Sequence, residues 1–493
     1  MNHVQKISEA IDVLAPEFTA LSDSIWDEPE LRWDEYTSME KQIRVIEGHG
    51  FEVTRTVAGI PTAFSAEKGS GGPVIAFLGE YDALDDLTQA SGSPERHPDP
   101  HSSSVNGHGC GHNLLGSGAL LAAVATAAYL EEHHLPGIVR FYGCPAEEAA
   151  AGKSFMVKDG AFADVDSAIT WHPAATTAYK QSLMLAYTQV YFHFKGLAAH
   201  AGAMPHLGRS ALDAVELLNV GTNFLREHMP DSARVHYAIT DAGGHSPNVV
   251  QANASVYYIV RHTDAHQMRA LYERVVKIAQ GAALMTETEL TIEFDGACSE
   301  VLPNEVLEQV LYENVKELGA VPFDAEDQAT AARFAAGLDE REVRTAKKSL
   351  GWDPSDARAL HDDLPAPAFE SPRIQGTGST DVGDVSWSVP TVQIFAATTA
   401  IGTPFHAWQT VAQGKLPAAH KGMVYAAKAM AATGISLFEH PGRIAEAQAE
   451  YDALTAQTPY ISPIPDGVVA PPLRGIGDVP DDASELNGDL QSA

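Results

Sequence analysis

Gly107-His108-Gly109-Cys110-Gly111-His112-Asn113 places a thiol and an imidazole two residues apart in a loop that is mostly glycine. Glycine lets a backbone take positive φ and pass close to a bound ion. Cysteine and histidine are the side chains that borderline divalent metals prefer. Alone, the loop could equally be a tight turn around a buried thiol. Three other segments carry residue types that would complete a metal site: Cys144-Pro145-Ala146-Glu147-Glu148, Trp171-His172-Pro173 and Thr403-Pro404-Phe405-His406.

Working outward, residues 114–130 read as a buried helix leaving the glycine loop. Residues 73–78 read as a buried strand that runs into Gly79-Glu80-Tyr81-Asp82. Residues 137–143 form a strand before the paired glutamates, 167–170 a strand before His172, and 391–396 a strand feeding the loop to His406. Apolar strands alternating with helical patterns indicate an α/β fold. In open α/β sheets, ligands sit beyond the carboxyl ends of the strands. The candidate metal ligands fall at that place.

The middle of the chain has another rhythm. Strand patterns over 184–195, 233–240, 255–262 and 289–294 enclose helical patterns over 210–228 and 266–283. The order βαββαβ is that of a ferredoxin-like module. Candidate ligands lie on both sides of it, so residues 184–300 are expected to be an insertion. Residues 320–375 are expected to be a charged, mostly helical excursion, and 466–493, rich in Pro, Gly and Asp, a flexible tail.

The bulk composition narrows the function classes. The 493 residues are 45% hydrophobic and 20% charged, as in a globular protein of two or three domains. The first 21 residues pattern as an amphipathic helix rather than a secretory signal, and residues 116–130 are too short for a membrane span. Three cysteines argue against a disulfide framework, so a cytoplasmic protein is expected. The formal charge of −33 makes nucleic acid and anionic membranes poor partners. It also opposes an anionic substrate at long range, leaving local cations to supply the attraction.

Two metal ions need roughly five or six protein ligands. Cys110, His112, Glu148, His172 and His406 make five. Glu147 is then free to take a proton from the attacking water and deliver it to a leaving amine. Asp82 is placed to orient His112, since metal-binding imidazoles usually donate their other N–H to a carboxylate or carbonyl. Cys144 reads as a small buried hydrophobe, and His97, His101 and His108 as loop residues outside the ligand set.

These motifs, together with Lys195-Gly196-Leu197-Ala198-Ala199-His200-Ala201 and Gly208-Arg209-Ser210-Ala211-Leu212-Asp213-Ala214, resemble the aminoacylase/carboxypeptidase family of dinuclear metallopeptidases. Gly243 to Gln251, Ser379 to Trp387 and His420 to Met423 are similar to motifs of its amidohydrolase branch, in which a cysteine supplies one metal ligand. The resemblance extends to about Pro465 and is weak over 320–375. It implies a zinc-peptidase-like catalytic domain, a mixed sheet flanked by helices, built from 1–183 and 301–465. The insertion would be a ferredoxin-like α+β lid and dimerisation domain. Further implied are two divalent ions, zinc or manganese, held by the five ligands, and Glu147 as general base and acid. His200 would polarise the scissile carbonyl across a dimer interface, and Asn248 and Arg261 would hold the substrate carboxylate. The implied partners are a small N-acyl amino acid, with p-aminobenzoyl-glutamate favoured, and either a second copy or a related A-type subunit.

Rival readings are an indole-acetyl-aspartate hydrolase or a small dipeptidase, which differ only in substrate. Thiol catalysis by Cys110 is a separate class, and it would survive chelation. A regulatory subunit without activity is disfavoured, because the ligand set and Glu147 are intact.

Overall fold

A computed structural model describes residues 2–471 apart from 101, 103, 365–368, 370 and 371. The expected tail from 472 onward and His101 lie outside the described residues. Helix α1 (His3–Asp27) begins at Asn2, whose side chain accepts from the Gln5 N–H, and buries Val4, Ile7, Ile11, Phe18 and Ile25 along one face. Then follow α2 (Tyr36–Gly48), strands β1 (Glu52–Arg55), β2 (Phe64–Ser70) and β3 (Val74–Glu80), α3 (His112–His133), β4 (Gly137–Cys144), the short helices α4 (Glu147–Ala150) and α5 (Gly152–Lys158), and β5 (Ser167–Ala174). The second unit comprises β6 (Ala186–Lys195), α6 (Ala211–Leu225), β7 (Arg234–Asp241), β8 (Asn253–His262), α7 (Ala265–Thr286) and β9 (Glu289–Cys298). The chain ends with α8 (Glu305–Leu318), α9 (Ala325–Ala335), α10 (Glu340–Ser349), α11 (Val382–Ser386), β10 (Thr391–Ala397), α12 (Trp408–Gln413), α13 (Pro417–Glu439) and α14 (Pro441–Thr455).

Among the described residues, ten strands make two sheets. The larger has the order β1-β2-β4-β3-β5-β10. Its four strands β4, β3, β5 and β10 run parallel, and β1 and β2 add an antiparallel edge. All seven residues of β3 are buried, as in a strand covered on both faces. Helices α1, α3, α8 and α13 pack on one face and form the main apolar core with it. Helix α3 is apolar all round and 94% buried over its most apolar stretch, which accounts for its length and hydropathy as a core helix. It approaches β3 closely: a Cβ at Gly116 would lie 2.5 Å from the Glu80 carbonyl oxygen.

The smaller sheet has the order β7-β8-β6-β9, antiparallel throughout, with α6 and α7 on one face and a separate apolar core. This is the βαββαβ arrangement the sequence indicates. The chain enters this sheet by β6 and leaves it by β9, and the two pair side by side with Tyr187 opposite Cys298.

The expectation of a mostly helical excursion over 320–375 is corrected. Helices occupy only 325–335 and 340–349, and the described residues from 351 to 375 form neither helix nor named strand. Gly351 at φ +76 ends α10. The charges beyond it pair locally instead of lining a helix. Arg358 binds Asp356, Asp362 and Asp363, and its guanidinium stacks 3.6 Å above the Trp352 ring. That knot braces two loops leading from the sheet: His361 Nδ1 accepts from the Thr177 N–H at 2.9 Å, and the Ile401 N–H donates to the Ala359 carbonyl at 2.8 Å.

Candidate metal centre

The carboxyl ends of the parallel strands converge on one place. Strand β3 delivers Glu80 and Asp82. The glycine loop is pinned to the same end by reciprocal backbone hydrogen bonds between Leu84 and Gly107. Gly111, at φ +78, turns the chain so that His112 becomes the first residue of α3. Strand β4 leads through Ala146, at φ +56, into Glu147 and Glu148 in the first turn of α4. His172 sits near the end of β5. The loop after β10 brings His406 back, also at positive φ (+56), with its N–H donating to the Gly109 carbonyl at 2.8 Å.

All five candidate ligands come together in this way, in two groups that share Cys110: Cys110 with His112 and His172, and Cys110 with Glu148 and His406. Within each group the ligand atoms lie within 4.8 Å of one another. Cys110 Sγ is 3.4 Å from His172 Nε2, and His406 Nε2 is 3.3 Å from Glu148 Oε1. Asp82 touches two of the candidate ligands: its Oδ1 is 2.8 Å from His112 Nδ1, and its Oδ2 accepts from the Glu148 N–H at 2.8 Å. His172 Nδ1 faces the Pro173 carbonyl at 2.7 Å. These contacts give each ring a partner at Nδ1 and turn its Nε2 toward the cluster. His112 Nε2 and Glu148 Oε1 are buried without a hydrogen-bond partner. Buried polar atoms without partners are costly, and a bound cation would answer both. The donor set therefore fits two borderline divalent ions sharing a thiolate.

The charges of the protein alone point the same way. Burial pushes the Cys110 thiol well up, and Glu148 adds to the shift. Burial also works against charge on Glu148, but His406, 3.3 Å away, and the nearby His112 outweigh this and hold it below the usual carboxylate range. Glu147 goes the other way, raised well above that range by burial and by Glu80, Glu148 and Asp381. The proton affinities of two adjacent glutamates are thus driven apart, which is the pattern of a ligand beside an acid–base group.

Three buried residues at the centre carry no role in the sequence reading. Lys153 is fully buried, with Nζ 2.6 Å from Glu80 Oε1 and 2.6 Å from Asp381 Oδ1. Glu80 also groups with His112 and Glu147. Glu80 and Asp381 sit inside motifs visible in the sequence, but nothing local marks Lys153 as buried.

The residues assigned to the second sheet stand apart. His200 is exposed, and its Nδ1 accepts from the Gly202 and Ala203 N–H groups at 3.2 Å. The carbonyl of exposed Asn248 accepts from the Ala201 N–H at 2.9 Å, so these two share one surface loop pair and neither joins the metal-ligand groups. Arg261 is half-buried. It donates to Ser379 Oγ at 3.1 Å, two residues along the chain from Asp381, and lies over the Tyr187 ring. Cys144 is buried, its thiol against the Tyr142 carbonyl. His108 is a buried core residue whose Nε2 faces the Ile25 carbonyl, rather than an open loop residue.

The chain belongs to peptidase family M20/M25/M40, whose model matches residues 76–365. It is accordingly a hydrolase of amide bonds in a metal-dependent family. Among its relatives, the B-type subunit of p-aminobenzoyl-glutamate hydrolase from Escherichia coli (strain K12) is 47% identical over 476 residues, 95% of this chain and 98% of that protein. Two solved structures share the fold. An aminobenzoyl-glutamate utilization protein from Klebsiella pneumoniae has a TM-score of 0.56 at 19% identity, covering 88% of this chain and 99% of that one. A dinuclear metal-binding peptidase of the M20 family from Bacillus subtilis has a TM-score of 0.52 at 19% identity, covering 87% and 99%.

Proposed function

We propose that this protein hydrolyses p-aminobenzoyl-glutamate to p-aminobenzoate and glutamate, using two divalent ions, zinc or manganese. The observation that carries this reading is the 47% identity to the E. coli protein along nearly the whole of both chains. Cys110, His112 and His172 would hold one ion, and Cys110, Glu148 and His406 the other. Bound there, the ions supply Lewis acidity to the scissile carbonyl and to the water that attacks it. Glu147 receives the proton of that water and passes it to the departing nitrogen, a task suited to a carboxyl whose affinity for protons is raised. Asp82 fixes the His112 tautomer. Arg261, with its planar fork, holds the glutamate α-carboxylate, and Asn248, on the same loop pair as His200, would reach it from a partner protomer. All three cysteines are free and buried, which suits the reducing cytoplasm.

The test is turnover by metal-reconstituted protein against a panel of N-acyl glutamates and aspartates. p-Aminobenzoyl-glutamate should be cleaved, its α-carboxamide should not, and chelation should abolish the reaction until zinc or manganese is returned. Activity that survives complete metal removal would instead indicate a thiol hydrolase, and a panel without any turnover would refute the substrate class.

His200 is exposed and joins none of the metal-ligand groups, so its proposed role would be met across an interface with a partner protomer. The 184–300 segment offers a surface for one. On α6, Leu217, Val220 and Phe224 fall on one face and are 36%, 50% and 71% exposed, and β7 is an edge strand. Such a face and edge suit pairing with a second copy or with a related A-type subunit. Sedimentation should show a dimer. For a homodimer, His200→Ala and Glu147→Gln proteins, each inactive, should recover about a quarter of the wild-type activity after protomer exchange, because half of the dimers then carry one complete composite site. A fully active monomer, or failure of exchanged protomers to recover activity, removes the trans role.

A further inference from the structure

Helix α4 is a single turn between two strained residues. Ala146 before it and Ala151 after it both have left-handed backbones, at φ +56 and +61, where an L side chain is disfavoured. Such a turn keeps its shape only if its surroundings impose it. Three hydrogen bonds do part of this work. The Gly152 N–H returns to the Ala146 carbonyl at 3.1 Å. Beyond the turn, the Lys153 N–H donates to Asp381 Oδ2 at 2.7 Å. Glu148 has a brace of its own, because its N–H donates to Asp82.

The near end of the turn is held by Glu35, which is fully buried. Its Oε1 accepts from the Ala146 N–H at 2.8 Å. The place of Glu35 in the fold suggests another duty. It is the N-cap residue of α2, yet its side chain makes no capping hydrogen bond. The first-turn N–H groups of Thr37 and Ser38 go instead to the two carboxylate oxygens of Glu30, at 2.9 and 2.7 Å. A carboxyl group buried away from water is costly, and α2 has its cap without this one. What the Glu35 side chain does is hold the peptide through which the chain turns into Glu147. The loop that carries it is tied to the end of β3, where the Ala83 N–H donates to the Glu30 carbonyl at 2.8 Å.

We propose that Glu35 is a positioning residue for the reaction: by holding the Ala146 N–H it keeps the left-handed turn closed and Glu147 aimed at the centre, where Glu147 Oε2 lies 3.9 Å from His112 Nε2. The inference rests on the reading of Glu147 as the acid–base group. Glu35 itself neither carries the transferred proton nor binds metal. Because Asp82 braces Glu148 separately, loss of Glu35 acts on turnover rather than on metal content.

Variants of the metal-loaded protein test this by elemental analysis, steady-state kinetics and amide hydrogen exchange of peptides spanning 144–152. Glu35→Leu fills most of the space but offers no acceptor. It should keep the wild-type metal content and exchange faster in that segment. Its kcat should fall by about 10²-fold with KM little changed, the loss that a misplacement of about 1 Å brings. Glu35→Gln keeps an acceptor oxygen at the same reach and should restore slow exchange and most of kcat. Adding Ala146→Gly to Glu35→Leu should recover part of the lost kcat, since glycine takes positive φ without being held there. A Glu35→Leu protein that is less heat-stable but has wild-type kcat per loaded chain would make Glu35 merely structural and overturn the proposal. Should Glu35→Leu fail to fold, Glu35→Gln decides: slow exchange with turnover lost, or fast exchange with turnover kept, refutes the positioning role. Glu147→Gln, measured in parallel, separates this inference from the reading beneath it. Wild-type turnover in Glu147→Gln removes both, whereas full turnover in Glu35→Leu beside an inactive Glu147→Gln removes the role of Glu35 alone.

Discussion

Glu147→Gln protein should retain its full metal content and lose turnover by about 10²–10⁴-fold or more, the range typical of removing a general acid–base group. Glu148→Gln should do the reverse and lose metal first. The two residues are neighbours in one helical turn, yet their surroundings differ. Glu148 Oε1 faces His406 at 3.3 Å, and its N–H is fixed by Asp82, so its position and charge are those of a ligand. Glu147 lies among Glu80, Glu148 and Asp381, where burial and like charges favour its protonated form. The glutamine at 147 preserves shape and hydrogen bonding but cannot carry a proton. Metal analysis beside steady-state kinetics distinguishes the two variants. Equal loss of metal in both would show that the division of labour between the glutamates is wrong.

Cys110→Ala should remove both ions at concentrations that saturate the wild type, and with them all measurable turnover. His172→Ala and His406→Ala should each weaken mainly one. The prediction follows from the thiol belonging to both ligand groups. A proton signature accompanies it. Burial and Glu148 keep the Cys110 thiol protonated in the protein alone, and a metal needs the thiolate, so binding must expel that proton. Affinity should therefore rise with pH. Calorimetric titrations in buffers of different ionisation enthalpy should count a released proton that Cys110→Ala does not release. A Cys110→Ala protein holding two ions would exclude a shared thiolate.

Much of the frame could be read from the residues because the signals were local. Runs such as Val74–Glu80 and Thr391–Ala397 are apolar enough to name buried parallel strands, and the glycines around Cys110 mark a turn that only a few backbones can make. The βαββαβ order of the second sheet follows from its alternating strands. Other features left no local trace. Strand β2 reads Phe-Ser-Ala-Glu-Lys-Gly-Ser, with an apolar start and a polar exposed end, and β1 is four residues long with little burial. Their strand state comes from pairing with β4 rather than from their own pattern. The stretch after α10 looked helical by charge, but Arg358 gathers its aspartates into a loop knot. Lys153 lies in Gly-Lys-Ser-Phe, where a lysine ordinarily points to water. Its burial depends on Glu80 and Asp381, which are far away in sequence. For the site, residue types and order were enough to nominate Cys110, His112, Glu148, His172 and His406; the sharing of Cys110 and the inward aim of Glu80 are matters of geometry alone.

The pairing of β10 with β5 has a consequence for how the molecule is made. Thr391 aligns with Ala168, and the whole second sheet lies in the chain between them. During synthesis, Cys110, His112, Glu148 and His172 emerge first, the 186–298 unit then has time to collapse on its own short-range contacts, and His406 arrives last of the five. A folded intervening unit shortens the effective loop that must be closed, and closure entropy grows slowly in any case, by about 0.6 kcal/mol per doubling of loop length. The last edge of the larger sheet is nonetheless a non-local contact, of the kind that slows folding. Assembly of the candidate centre is thereby deferred until β10 and the loop carrying His406 have followed the intervening unit out of the ribosome.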